Sequence, residues 1–126
     1  MRTLMSYLSL LFLIASVIFS SCYYDEEVVI EGLPTNVSLK NDLMPIFTSN
    51  CNNSGCHDAT PTHAPSLVQA NVYNALVNGG YVNLLDPQSS LLYQEIEAGN
   101  MPPSGNLNEN DKKIILGWIA DGAKNN

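Results

Sequence analysis

The sequence predicts an all-α domain of about four helices, and two observations carry that prediction. Apolar residues recur at spacings of three and four in four separate stretches, the period of a helix with one buried face. Those stretches are punctuated by helix-starting Ser, Asn or Asp-Pro and by helix-stopping glycines. No internal repeat and no low-complexity tract interrupts them.

Residues 1–21 stand apart from the fold. Arg2 supplies one positive charge, residues 4–19 are apolar, and Ser20-Ser21 precede Cys22. That is the layout of a secretory signal, too short to be a comfortable membrane span. Ile18-Phe19-Ser20-Ser21-Cys22 resembles a bacterial lipobox, with Phe19 where Leu, Val or Ile is usual. The resemblance implies lipidation of Cys22 as the new N-terminus; a plain cleaved signal with an incidental cysteine is the alternative. Residues 22–37 are expected to form an acidic tether, with Asp25-Glu26-Glu27 charged and Gly32, Pro34 and Asn36 breaking regular structure. An acidic cluster after a lipidated cysteine resembles surface-export signals of Bacteroidota lipoproteins; a solvated spacer is the plain alternative.

The domain proper is expected over 38–126. Its first helix, over 38–50, carries Leu39, Leu43, Ile46 and Phe47 on one face. Ser38 or Asn41 can cap it, and Pro45 confines the regular part to a start near Asn41 or Asp42. A second helix, over 67–77, presents Val72, Ala75 and Leu76 with Tyr73 beside them, and Asn78-Gly79-Gly80 ends it. After a connector over 81–85, Asp86 and Pro87 start a third helix packed through Leu91, Leu92, Tyr93 and Ile96 and stopped by Gly99. The last begins at Asn108, with Asp111 three residues on, and buries Ile114, Ile115, Trp118 and Ile119 before Gly122.

Chemistry concentrates at Cys51-Asn52-Asn53-Ser54-Gly55-Cys56-His57. Two cysteines with a histidine directly after the second are the signature of covalent haem attachment, here with four intervening residues where two are usual. Each thiol can add across one vinyl group to give a thioether, and His57 can bind the iron as proximal ligand. The small, turn-tolerant residues between the cysteines suit an outward bulge. Of the four methionines, Met1 and Met5 belong to the leader and Met44 lies just before the motif. Met101, in a loop stiffened by Pro102 and Pro103, remains as the distal ligand. A core methionine is the plain alternative for it. His63 is the rival distal ligand, close behind His57 in a Pro-flanked loop; local hydrogen bonding is its ordinary role.

Asp42-Leu43-Met44-Pro45-Ile46-Phe47 ahead of Cys51 and Cys56-His57, with Met101-Pro102-Pro103 and a last helix bearing Trp118, resembles the monohaem c-type cytochrome domains of bacterial envelope lipoproteins. The resemblance spans about 38–123 and departs from the family's pattern in the cysteine spacing. It implies a small cytochrome c-like fold around haem c, the last helix crossing the first, with His57 and Met101 on the iron. It also implies one-electron exchange with redox partner proteins of the cell envelope, from a lipid anchor on the inner or outer membrane. Such a carrier is no enzyme and has no dedicated small-molecule substrate.

Composition and motifs exclude several classes. Without the leader the chain has 4 basic residues against 12 acidic, a formal charge of −8, which suits neither DNA nor RNA. No Gly-rich phosphate loop or nucleophile motif is present. A zinc site would crowd Cys51, Cys56, His57 and His63 into one loop without the paired short spacings of zinc modules. Two alternatives stay open: a haem-based sensor in which a small molecule displaces Met101, and a haem-free domain stapled by a Cys51–Cys56 disulfide.

Overall fold

A computed structural model describes residues 32–105 and 107–126. The leader, Cys22 and the acidic cluster at 25–27 lie outside the described residues. Those described are helical, turn or loop, with no strand among them, so the all-α expectation holds.

The chain enters through a cap. Ser38 Oγ accepts from the Asn41 N–H at 3.2 Å while the Asp42 carboxylate accepts from the Ser38 N–H at 2.7 Å, so each satisfies a donor the helix leaves open. The first turn, Leu39–Leu43, is π-wound, and regular α-helix α1 spans Met44–Asn50, two residues later than expected. The wide turn falls just before Pro45, which lacks an N–H and whose ring needs room from the carbonyl four residues back. Leu39, Leu43, Ile46 and Phe47 are buried as the periodicity requires, and Met44 joins them in the core.

The second helix is shorter than predicted. A turn over 68–71 leads into residues 72–78, and their last part, Asn74–Asn78, is again π-wound. Val72 and Leu76 are nevertheless fully buried. The left-handed residue that ends it is Gly80, at φ +79°. The third helix is interrupted. Pro87–Ser89 forms a single 3₁₀ turn, and α2 spans only Leu91–Glu97, because Ser90 takes an extended conformation between them. Asp86 makes no side-chain cap, so the expected start at Asp86-Pro87 is corrected to Ser90-Leu91.

The last helix, α3, spans Glu109–Ala120 and is the hub of the fold. Asn108 Oδ1 accepts from the Asp111 N–H at 2.9 Å, the predicted cap. At the other end the Gly122 N–H reaches the Ile119 carbonyl and the Ala123 N–H the Trp118 carbonyl, a glycine-based stop with Gly122 at φ +90°. α3 packs against the Leu39–Leu43 turn, against the Pro87–Ser89 turn and against α2. Ile115, Trp118 and Ile119 are fully buried, with the Trp118 indole N–H donating to the Lys124 carbonyl at 2.9 Å. Lys112 lays its stem along the surface of α2 and α3, its ammonium 3.4 Å from Glu97 and 3.1 Å from Glu109. The hydrogen bond to Glu109 outweighs the cost of burial and holds that ammonium above its ordinary pKa.

Two contacts extend the folded region before residue 38. Val37 is buried and donates its N–H to Asp121 Oδ2 at 3.2 Å. Pro34 lies so close to Gly117 that a Cβ there would come 2.5 Å from the Pro34 carbonyl oxygen. The segment read as tether is thus laid onto α3 from Pro34 onward.

Candidate functional site

α1 hands the chain directly to the first cysteine. The Cys51 and Asn52 N–H groups both donate to the Phe47 carbonyl at 2.9 Å, which fixes Cys51 at the helix end. The following loop is organised by Asp58. Its carboxylate accepts from the Gly55 N–H and the Thr60 N–H, each at 2.9 Å, and its carbonyl accepts from Ser66 Oγ at 2.7 Å. Gly55, at φ +80°, supplies the left-handed step that turns the chain toward Cys56. The bulge expected between the cysteines is therefore a hydrogen-bonded turn: Asp58 holds the Gly55 N–H, and the Asn53 carbonyl accepts from the Cys56 N–H at 2.9 Å.

His57 is oriented by the loop that follows it. Its Nδ1 donates to the Pro65 carbonyl at 2.7 Å, and the Leu67 N–H donates back to the His57 carbonyl at 2.8 Å. In the neutral ring this bond selects the Nδ1–H tautomer, which leaves Nε2 as the nitrogen with the lone pair that a metal takes. A carbonyl holding the other ring nitrogen is the usual outer support of a ligating histidine.

Met101 is placed by the end of α2. Gly99 at φ +75° breaks the helix, and the Glu95 carbonyl then accepts from both the Asn100 and Met101 N–H groups at 3.0 Å. Pro102 is buried and holds the loop down, while Met101 itself stays 37% exposed. It is not core filler, unlike Met44, which is 8% exposed.

These residues meet in one cavity of about 510 Å³, within the range of small-molecule and cofactor sites. Cys51, Cys56, His57, His63 and Met101 all line it. Its walls are apolar: Phe47 from α1, Leu67, the pair Leu91 and Leu92, Ile96, and the prolines at 65, 102 and 103. Asn50, Tyr81 and Glu95 are further polar lining residues. Sequence reasoning placed Leu91 in a packing face. It is 45% exposed because α2 turns that edge toward the cavity rather than the core. Tyr81, Glu95 and the Pro65 carbonyl were missed, since they are brought in by the course of the chain and by no local motif. His63 is exposed and also borders the cavity.

Cys51 and Cys56 are not joined by a disulfide; Cys56 is exposed and Cys51 half-buried. Burial, with the neighbouring Cys56 as a second cause, pushes the Cys51 thiol up to about 11. Less of it is ionised than in an ordinary cysteine, which makes it a poorer nucleophile. Among the described residues no three His, Cys, Asp or Glu side chains converge as a cage for a bare metal ion. A planar, largely apolar group carrying its own metal is a different guest. Apolar walls, two thiols, two imidazoles and a thioether are what such a guest would meet in this cavity. No family model, curated protein or solved structure matches the chain. Among the described residues no helix is long and apolar enough to cross a membrane.

Proposed function

We propose that this chain is a monohaem c-type cytochrome of the cytochrome c-like fold, a one-electron carrier anchored in the cell envelope by a lipid on Cys22. The observation that carries the proposal is the convergence on one apolar cavity of Cys51, Cys56 and His57 with Met101, more than forty residues on. A haem bound there would supply the ferric–ferrous couple.

The chain's own residues do the rest. Cys51 and Cys56 would each add S–H across a vinyl group, so that the S–C and C–H bonds formed leave no atom over. His57 presents neutral Nε2 because Pro65 holds the proton on Nδ1. Met101 would offer a neutral thioether, a ligand that favours the ferrous state relative to a second imidazole and would so raise the potential. Phe47, Leu67, Leu92 and Ile96 exclude water, which lowers the local dielectric and limits rearrangement of solvent on electron transfer. The carrier makes and breaks no substrate bond, and its partners are redox proteins of the envelope.

The test is an absorption spectrum and a denaturing-gel haem stain of protein expressed in an envelope with cytochrome c maturation. A stained band, a sharp reduced α-band and a weak near-infrared band in the oxidised protein support attachment and Met101 ligation. Attached haem lacking the near-infrared band transfers the reading to an open or His63-ligated site, and thus to small-molecule sensing. No haem on a chain with both thiols intact refutes the carrier.

A further inference from the structure

The loop between Tyr81 and Leu91 is held by its own side chains. Asn83 Oδ1 accepts from the Leu85 and Asp86 N–H groups at 3.0 and 3.3 Å, and Asn83 Nδ2 donates to Ser89 Oγ at 2.8 Å. Ser89 Oγ donates onward to the Asp86 carbonyl at 2.8 Å, and Ser90 Oγ accepts from the Asn83 N–H at 2.9 Å. Ser90 is buried, so the network is rooted in the core. The tip of this rigid turn nonetheless carries Leu84, 51% exposed, and Leu85, 79% exposed. A single exposed leucine is ordinary, but two adjacent ones on a pinned turn, followed by the exposed Leu91, make an apolar projection.

The projection rises from a turn whose two ends border the cavity. Tyr81 and Leu92, at its two feet, both line the cavity and are clipped together by the Leu92 N–H donating to the Tyr81 carbonyl at 3.1 Å. Leu84 is three residues from Tyr81, which bounds their separation at about 11 Å even in extended chain. The surroundings are acidic. Asp86 is exposed beside Leu85, Glu95 lines the cavity, and no Lys or Arg does. Lys112 is already engaged by Glu97 and Glu109.

We propose that Leu84 and Leu85 anchor a protein partner whose contact face has an apolar centre ringed by Lys and Arg; that this partner exchanges electrons rests on the cytochrome reading above. A pinned loop loses little conformational freedom on binding, so its apolar area is available for affinity. The sign of the charge selects among occupants. A second copy docked through the same turn would set Asp86 and Glu95 against their own kind, and an anionic lipid surface would meet the same two carboxylates. A cationic rim is the complement.

The experiment titrates the full mature chain, at low ionic strength, with a small basic cytochrome c whose apolar haem edge is ringed by lysines. Binding is followed by calorimetry, beside the Leu84→Ser/Leu85→Ser double variant. The expected result is salt-sensitive binding that the variant weakens about tenfold or more, because it removes the apolar area of both leucines from the contact. The variant's melting temperature stays that of the parent. Equal affinity of the two proteins, or no binding by the parent, overturns the proposal. Leucine-dependent sedimentation with phosphatidylglycerol vesicles, or a leucine-dependent dimer, overturns it in favour of a membrane or a second copy. The titration reads binding on a haem-free chain too, so loss of the cytochrome reading and loss of the docking surface are separate results.

Discussion

Cys51 holds its proton more tightly than an ordinary thiol, and the consequence can be put in numbers. The shift from 9.0 to about 11 leaves roughly 100-fold less thiolate at pH 8. Each thiolate is more nucleophilic for its higher basicity, by about eightfold at a Brønsted slope of about 0.45. The net expectation is that Cys51 in the folded, haem-free chain reacts with an aromatic disulfide reagent about tenfold more slowly than Cys51 in the urea-unfolded chain, before any steric shielding. Site-resolved mass spectrometry gives the rate at Cys51 separately from Cys56 and Cys22. The rate in the folded chain should keep climbing to about pH 11, whereas the unfolded chain levels off near pH 9. The linkage has a definite sign, because the folded state binds the proton more tightly. Cys51 contributes stability that is fully present below about pH 9 and is lost as the pH rises through about 11. In protein carrying haem on both cysteines the sulfur has no proton to lose, so labelling and this pH dependence both vanish. Equal folded and unfolded rates, or a plateau near pH 9 in the folded chain, would refute the argument from burial.

Three further outcomes are expected. Met101→Ala should leave the haem-free chain within about 0.5 kcal/mol of the parent, because the side chain is 37% exposed. In the haem-loaded protein the same change should abolish the near-infrared band and shift the potential seen by voltammetry; a retained band would remove Met101 from the iron. Gly117→Ala should cost about 1–3 kcal/mol, since its Cβ would lie 2.5 Å from the Pro34 carbonyl oxygen and 3.1 Å from the Pro34 ring. An unchanged thermal melt would mean that Pro34 lifts off α3 without loss. Leu76→Ala, at a fully buried position, should lower the urea midpoint by the equivalent of about 2–5 kcal/mol with an unchanged slope; a smaller effect would mean that the 72–78 helix is peripheral.

What could be read from the sequence was what depends on neighbours along the chain. The Asn108 cap, the glycine stops at Gly99 and Gly122, and the buried faces of α1 and α3 are set within one or two helical turns, so spacing alone reports them. Leu116 and Lys112 escaped because α3 is covered on more than its expected stripe, with Pro34 lying against Gly117. The helix expected from Asp86 fails at Ser90 for a tertiary reason: its hydroxyl is committed to the Asn83 N–H, and the extended backbone follows. At the cavity, Cys51, Cys56 and His57 are legible because they fall within one seven-residue motif, and Met101 by elimination among four methionines. The Pro65 carbonyl, Tyr81 and Glu95 are not, since a backbone acceptor has no side-chain signature and cavity walls are assembled from distant turns.

The Glu95 carbonyl that receives both the Asn100 and Met101 amides ties the Met101 backbone to the integrity of α2. The two bonds hold the Met101 backbone, whereas rotation about its side-chain torsions leaves both of them standing. Fraying of the last helical turn would carry the whole loop, thioether included, away from the cavity. Deuterium uptake at the Asn100 and Met101 amides would report the frequency of that opening directly. In the proposed cytochrome, sulfur release much faster than this uptake is a change of rotamer at Met101 alone.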